Sequence, residues 1–158
     1  MLCAAGAGAL IMAGCASPGA PQASPGAQAW SGRLSLRIDS EPVQTFAALF
    51  ELRGTEQSGE LLLTSPIGNT LAQLRWSPGD AVLKNGKETR RFDSVDELIE
   101  AATGAAIPVG ALFGWLAGRD DRVSGWRPDL SQVGTGRLQA FRESPMPRAD
   151  LRIVFERA

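Results

Sequence analysis

Two residues in this chain have side chains that could be modified covalently or serve as soft metal ligands, Cys3 and Cys15, and both lie in the first fifteen positions. Beyond Cys15 no thiol remains, so the folded part can form neither a disulfide nor a cysteine-ligated metal centre. His and Tyr are absent altogether, which removes the commonest general base and the commonest imidazole ligand. Carboxylates are the remaining option for acid–base chemistry. The adjacent pairs are Asp96-Glu97 and Asp120-Asp121. The first follows Ser94 and reads as the acid-favouring N-terminus of a helix, and the second reads as a solvated loop. Gly134-Thr135-Gly136 lacks the third glycine and the strand-to-helix context of a phosphate-binding loop, and reads as a hairpin turn. No enzymatic activity, cofactor or metal is expected.

Composition narrows the partners. The chain has 158 residues, 44% of them hydrophobic and 21% charged, enough for one domain. Sixteen basic against seventeen acidic residues leave a net charge of −1, which excludes a nucleic-acid surface as the main business of the protein.

The charge is unevenly spread, because Arg33 is the first charged residue. Residues 1–14 (MLCAAGAGALIMAG) are small and apolar, too short for a bilayer-spanning helix, which needs about 20 apolar residues, but suited to a signal peptide. The run ends in Met12-Ala13-Gly14-Cys15, which resembles the lipobox of bacterial lipoproteins. Cleavage would then fall before Cys15, Cys15 would carry the lipid, and Ala16 in place of Asp favours the outer membrane. Residues 15–29 are the lipidated cysteine and a Pro/Gly/Ala/Ser/Gln leash without the large apolar side chains needed to offset ordering entropy. The folded domain is expected over 30–158.

Within it, period-2 alternation marks strands at 33–39, 43–53, 60–64 and 70–77, with a short hairpin of 81–84 and 88–92 across Asn85-Gly86. The period then changes. Ser94-Val95-Asp96-Glu97 has a capping-box pattern, Val95, Leu98, Ile99 and Ala102 share a helical face, and Gly104 stops the helix. A second helix from Pro108 or Val109 to Ala117 is apolar nearly all round. After a loop holding Trp126 and Pro128, two closing strands run over 137–142 and 149–157. Short turns between strands argue an antiparallel, curved sheet with the two helices on its concave side. The expected fold is mainly β with inserted helices (α+β), an open barrel with a helical lid. Its inward residues either fill a core or line an apolar cavity. The cavity candidates are Leu36, Phe46, Phe50, Leu63, Leu74, Trp76, Leu112 and Leu116.

One turn is unusual. Pro66 fixes φ and Gly68 closes the turn, but between them stands Ile67, where Asn, Asp or Gly is ordinary. From the residues alone, Ile67 either folds back onto the core or projects.

Several segments in order, Trp30-Ser31-Gly32-Arg33-Leu34, Phe50-Glu51-Leu52-Arg53-Gly54, Gly59 to Gly68 (GELLLTSPIG), Ala102-Thr103-Gly104 with Ile107-Pro108-Val109, Trp115-Leu116-Ala117-Gly118 and Gly125-Trp126, resemble the LolB family of outer-membrane lipoprotein receptors. The resemblance runs from Trp30 to about Leu130 and returns at Ala149–Arg157. It implies an incomplete antiparallel β-barrel curved around a helical plug. It further implies a receptor that accepts acylated lipoprotein cargo from a LolA-type periplasmic carrier and releases it into the inner leaflet of the outer membrane. It assigns membrane delivery to Ile67 and so favours projection. The domain would be lipid-anchored, periplasm-facing and monomeric. The stretch between Leu130 and Ala149 leaves room for one strand and a Pro145-Met146-Pro147 turn, implying a barrel at least one strand short. The alternative reading is an anchored periplasmic interaction scaffold with a filled core and no lipid cavity. A soluble LolA-type carrier fits the lipobox poorly.

Overall fold

The computed structural model describes residues 26–158. The lipobox-like segment, Cys15 and most of the leash lie outside those residues. The elements, in chain order, are β1 (Gln28–Ile38), β2 (Gln44–Gly54), β3 (Gly59–Thr64), β4 (Thr70–Ser77), β5 (Asp80–Asn85), β6 (Glu88–Phe92), α1 (Val95–Thr103), α2 (Val109–Leu116), β7 (Trp126–Asp129), β8 (Arg137–Arg142) and β9 (Ala149–Arg157). All nine strands form one antiparallel sheet in the order β6-β5-β4-β3-β2-β1-β9-β8-β7. The first strand therefore lies inside the sheet, paired on one side with β2 and on the other with the last strand.

Alternation sets which face is buried. Trp30, Leu36 and Ile38 of β1, Ala48, Phe50 and Leu52 of β2, Leu61 and Leu63 of β3, and Ala72, Leu74 and Trp76 of β4 all point into one continuous core. Leu138 and Ala140 of β8 and Leu151, Ile153 and Phe155 of β9 complete it.

Three expectations need correcting. The first strand begins at Gln28, not Arg33, so Gln28 and Ala29, expected as the end of the leash, already pair with Gly54 and Arg53. The alternation is broken to the eye by Gly32, an inward-phase position without a side chain. A Cβ there would run into the backbone carbonyl of Val154 on β9. The loop holding Trp126 and Pro128 contains β7, which pairs with β8 alone. It is four residues long and carries a proline, tolerated because β7 is an edge strand. The segment from Leu130 to Ala149 does hold a single strand, and β7 supplies the ninth strand from residues that had been assigned to a loop.

The helices differ in character. Ser94 caps α1, its Oγ accepting from the Glu97 N–H at 3.2 Å, and Gly104 ends the helix at φ 90°. Leu98, Ile99 and Thr103 are buried while Asp96, Glu97 and Glu100 face water, and the helix packs mainly on β4, β5 and β6. α2 starts after Pro108 and is buried at seven of its eight positions. Its Phe113 ring lies 5.5 Å from Trp30 of β1 and 6.4 Å from Trp76 of β4, centroid to centroid. Three strand spacings of about 4.8 Å separate those two strands. One ring within reach of both fits a sheet that bends around it. Trp115 of α2 meets Trp126 of β7 at 6.1 Å, so the same helix also reaches the far edge strand.

Removing this wedge has a defined consequence. Phe113→Ala is expected to lower the free energy of unfolding by about 3–5 kcal/mol, read by denaturant titration. A loss under about 1 kcal/mol would mean that the ring is not what holds the sheet in its bend.

An apolar cleft at the Ile67 end of the sheet

Strand direction sorts the turns into two groups. The β1–β2, β3–β4, β5–β6 and β8–β9 turns lie at one end of the sheet, and the β2–β3 and β4–β5 turns at the other. The second end is closed by aromatics. Trp30, Trp76 and Phe113 gather there, and the Trp76 indole N–H donates to the Thr55 carbonyl of the β2–β3 turn at 3.1 Å. The N-terminus of α2 is fixed beside that of α1, with the Val109 N–H donating to Asp96 Oδ1 at 3.3 Å. From there α1 runs towards the first end. Its cap, Gly104, sits beside Ile38 and Gln44, next to the β1–β2 turn.

At that first end a cleft of about 320 Å³ opens between α1 and the sheet. It is lined by Phe46 of β2, Thr70, Leu71 and Ala72 of β4, Leu83 and Asn85 of β5, and Ala101 and Ala102 of α1. Six of these eight side chains are apolar. Among the expected cavity residues, Phe46 borders the cleft. Leu36, Phe50, Leu63, Leu74, Trp76, Leu112 and Leu116 are all buried in the core behind it. Sequence reasoning missed Leu71, Leu83, Ala101 and Ala102. Alternation gives the buried face of a strand but not which buried residues border free space, and Ala102 had been read only as part of a helix face. Of the two helices expected to cover the concave side, only α1 walls this cleft, because α2 is enclosed in the core.

The cleft mouth adjoins the β3–β4 turn. The Gly68 N–H donates to the Ser65 carbonyl at 2.9 Å, the Ser65 N–H to the Asn69 carbonyl at 2.8 Å, and the Asn69 N–H to Ser65 Oγ at 3.1 Å. Gly68 adopts φ 90°, the left-handed closing residue of a three-residue loop. Ile67 at the tip is 85% exposed and projects into solvent. No charged residue stands between Arg53-adjacent Gly54 and the tip except Glu56 and Glu60 at and near the opposite end, and 61–74 carry none.

Two of the four paired carboxylates have structural partners: Asp96 Oδ1 accepts the Val109 N–H at the start of α2, and Asp121 Oδ2 lies 3.7 Å from the Arg119 guanidinium. Their backbones serve the fold as well, the Glu97 N–H donating to the Ser94 cap and the Asp121 carbonyl accepting the Trp115 indole N–H at 2.8 Å. Gly134-Thr135-Gly136 belongs to a 3₁₀ turn, with Gly136 at φ 77°, that connects β7 to its antiparallel neighbour β8. No helix among the described residues is long and apolar enough to cross a membrane.

If the cleft admits apolar ligands, narrowing it on α1 will exclude them without unfolding the domain. Ala102→Phe is expected to reduce uptake of a fluorescent apolar probe severalfold, with thermal unfolding little changed. Unchanged uptake in the folded variant would locate probe binding elsewhere.

Comparison with known proteins gives the family. A family model described as "Outer membrane lipoprotein LolB" matches residues 27–153. The protein named outer-membrane lipoprotein LolB from Bordetella petrii is 38% identical over 140 residues, covering 84% of this chain and 69% of the relative. Its namesake from Chromobacterium violaceum is 30% identical over 117 residues, covering 70% of this chain and 63% of the relative. The namesake from Bordetella pertussis is 32% identical over 114 residues, covering 69% and 57%. The matched part thus spans little more than half to two-thirds of these relatives. The family match takes in the β3–β4 turn, the cleft and both helices, and on that extent the chain belongs to the LolB family of outer-membrane lipoproteins.

Proposed function

We propose that this chain is an outer-membrane-anchored, periplasm-facing receptor that accepts lipoproteins from a LolA-type carrier and inserts them into the inner leaflet of the outer membrane, acting as a monomer. The observation that carries the reading is Ile67, 85% exposed on a turn beside an apolar cleft in a LolB-family domain. In this reading the curved sheet is an incomplete barrel, α2 is its plug and α1 its movable wall. The cleft, at about 320 Å³, is at the low end of the ~300–1,000 Å³ range of ligand pockets. It has room for part of one acyl chain, so acceptance of a multiply acylated cargo requires α1 to move off β4–β6. That movement would open a path from Phe46 and Ala102 to Leu36, Leu63 and Leu74. Each methylene shielded from water is worth about 0.8 kcal/mol, and passage from carrier to receptor needs only a difference in affinity, without a nucleotide.

Residues 1–14 are the lipoprotein signal peptide in this reading, and Cys15 carries the lipid anchor. The leash up to residue 27 gives the domain, which begins with β1 at Gln28, its reach. Ile67 enters the leaflet surface at delivery. A buried isoleucine gains about 1.5–3 kcal/mol, enough to bias where the loaded domain opens and too little to replace the anchor.

The scaffold alternative draws on a specific observation, the close packing of seven of the eight expected cavity residues in the core. Probe uptake by the domain separates the two, since a filled core takes up nothing.

Ile67→Glu tests the delivery role. The side chain is exposed, so the variant should fold normally and still accept cargo from the carrier in solution, while transfer to liposomes should fall sharply. Wild-type delivery would make Ile67 irrelevant to the membrane. Cys15→Ala behind a cleavable secretory signal should yield a soluble periplasmic protein, and sedimentation with membranes at high salt would show that the anchor lies elsewhere.

A further inference from the structure

Four large apolar side chains are conspicuously exposed among the described residues: Ile67 at 85%, Met146 at 71%, Val154 at 55% and Val43 at 51%. Val154 lies within β9. The other three are turn residues, and all three turns lie at the same end of the sheet. Each of the three directly follows a proline, as Pro42-Val43, Pro66-Ile67 and Pro145-Met146.

The strand order makes these turns neighbours. Read along the rim, the hairpins are β6/β5, β4/β3, β2/β1 and β9/β8. Successive tips are therefore about 10 Å apart, two strand spacings. They carry Gly86-Lys87, Ile67, Val43 and Met146 in turn.

Each apolar tip is braced by its own side-chain hydrogen bond. Ser40 Oγ donates to the Pro42 carbonyl at 2.9 Å. Ser65 Oγ accepts from the Asn69 N–H at 3.1 Å. The buried Arg142 guanidinium donates to the Pro147 carbonyl through Nε at 3.2 Å and Nη2 at 2.9 Å. The Asp39 N–H also donates to the Arg148 carbonyl at 2.9 Å, joining the β1–β2 turn to the β8–β9 turn. Proline and these bonds fix the tips before any partner arrives, which reduces the ordering cost of contact.

We propose that Val43 and Met146 are second and third membrane contacts, so that the domain meets the outer-membrane inner leaflet through a rim of three proline-backed apolar tips and not through Ile67 alone. The proposal rests on the reading of Ile67 as membrane-facing and extends it to the adjoining hairpins. A bilayer suits the rim better than a protein partner does. Single side chains about 10 Å apart on convex turns would each need a separate pocket on a protein, whereas a lipid surface accepts isolated apolar side chains anywhere. The charges fit as well. Asp39 and Glu143, beneath two of the tips, are paired with Arg37 at 3.2 Å and Arg127 at 3.0 Å. Both lysines of the chain, Lys84 and Lys87, are at this end with Arg148, placed to meet anionic headgroups.

The test uses the chain with a cleavable secretory signal in place of residues 1–14 and with Cys15→Ala, which removes the lipid and leaves no thiol. Single cysteines are then introduced as Val43→Cys, Ile67→Cys and Met146→Cys, with Gln57→Cys on the β2–β3 turn at the opposite end as a control. Each is labelled with an environment-sensitive nitrobenzoxadiazole dye and mixed with phosphatidylethanolamine/phosphatidylglycerol vesicles. The expected result is a blue shift and severalfold intensity gain at 43, 67 and 146 and none at 57. In unlabelled protein, Val43→Ser and Met146→Ser should each weaken vesicle binding about tenfold with unchanged thermal unfolding. A response at 67 alone would overturn this proposal and leave the Ile67 reading standing. Silence at all three would overturn both. A response at 43 and 146 to a LolA-type carrier but not to vesicles would make the rim a protein contact and overturn the membrane assignment.

Discussion

The fold depends on one aromatic wedge. Phe113 sits between Trp30 and Trp76, on strands that two others separate, and packs against both rings. The wedge bridges four strands on the inner face of the sheet. It also fixes α2, whose Trp115 is fully buried and whose N-terminus is tied to α1 through Asp96. Among the described residues Trp30 contributes through packing, its indole N–H being buried without a hydrogen-bond partner. That polar cost is accepted at the centre of the cluster, where apolar contact is greatest.

The two ends of the domain differ in what they hold. One has the start of α2, Trp30, Trp76 and the β2–β3 turn. The other has four hairpin tips and a cleft whose outer wall, α1, is a nine-residue amphipathic helix resting mainly on three strands at one side of the sheet. A short helix with one buried face has little to hold it except that face. A helix held mainly through one face is the kind of element that opens locally, and this one borders the cleft.

Much of this was legible in the sequence, and the failures have physical causes. Strict alternation located β2, β3, β4, β8 and β9, because one face of each is more buried than the other, and the Asn85-Gly86 turn located β5 and β6. The Ser94 cap and the Gly104 stop located α1. β7 was missed because a four-residue edge strand containing Pro128 carries almost no periodic signal. The first turn of β1 was missed because Gly32 leaves a gap in the inward series, forced by the approach of the β9 backbone. At the site, Ile67 stood out from turn chemistry alone and its projection is seen directly. The cleft did not stand out. Burial is written in the pattern of a strand, but a gap between two elements depends on how a helix settles onto a sheet. No local pattern records that.

The same division bears on what the exposed side chains mean. Stability in this domain comes from the core and the aromatic end, so residues at the hairpin tips are nearly free of folding constraints. Substitutions at such positions ordinarily change stability by no more than about 0.5 kcal/mol. A soluble domain gains nothing in its own folding from valine, isoleucine and methionine held out by prolines into water. Scattered exposed apolar residues are ordinary on protein surfaces. Three on consecutive hairpins, each behind a proline and each braced by a side-chain hydrogen bond, are not scattered. Their order comes from strand pairing, which puts turns far apart in sequence side by side on one rim. The apolar character of that rim therefore answers to something outside the domain. The cleft opens at the same end, so whatever the rim touches also faces the place where an acyl chain would leave.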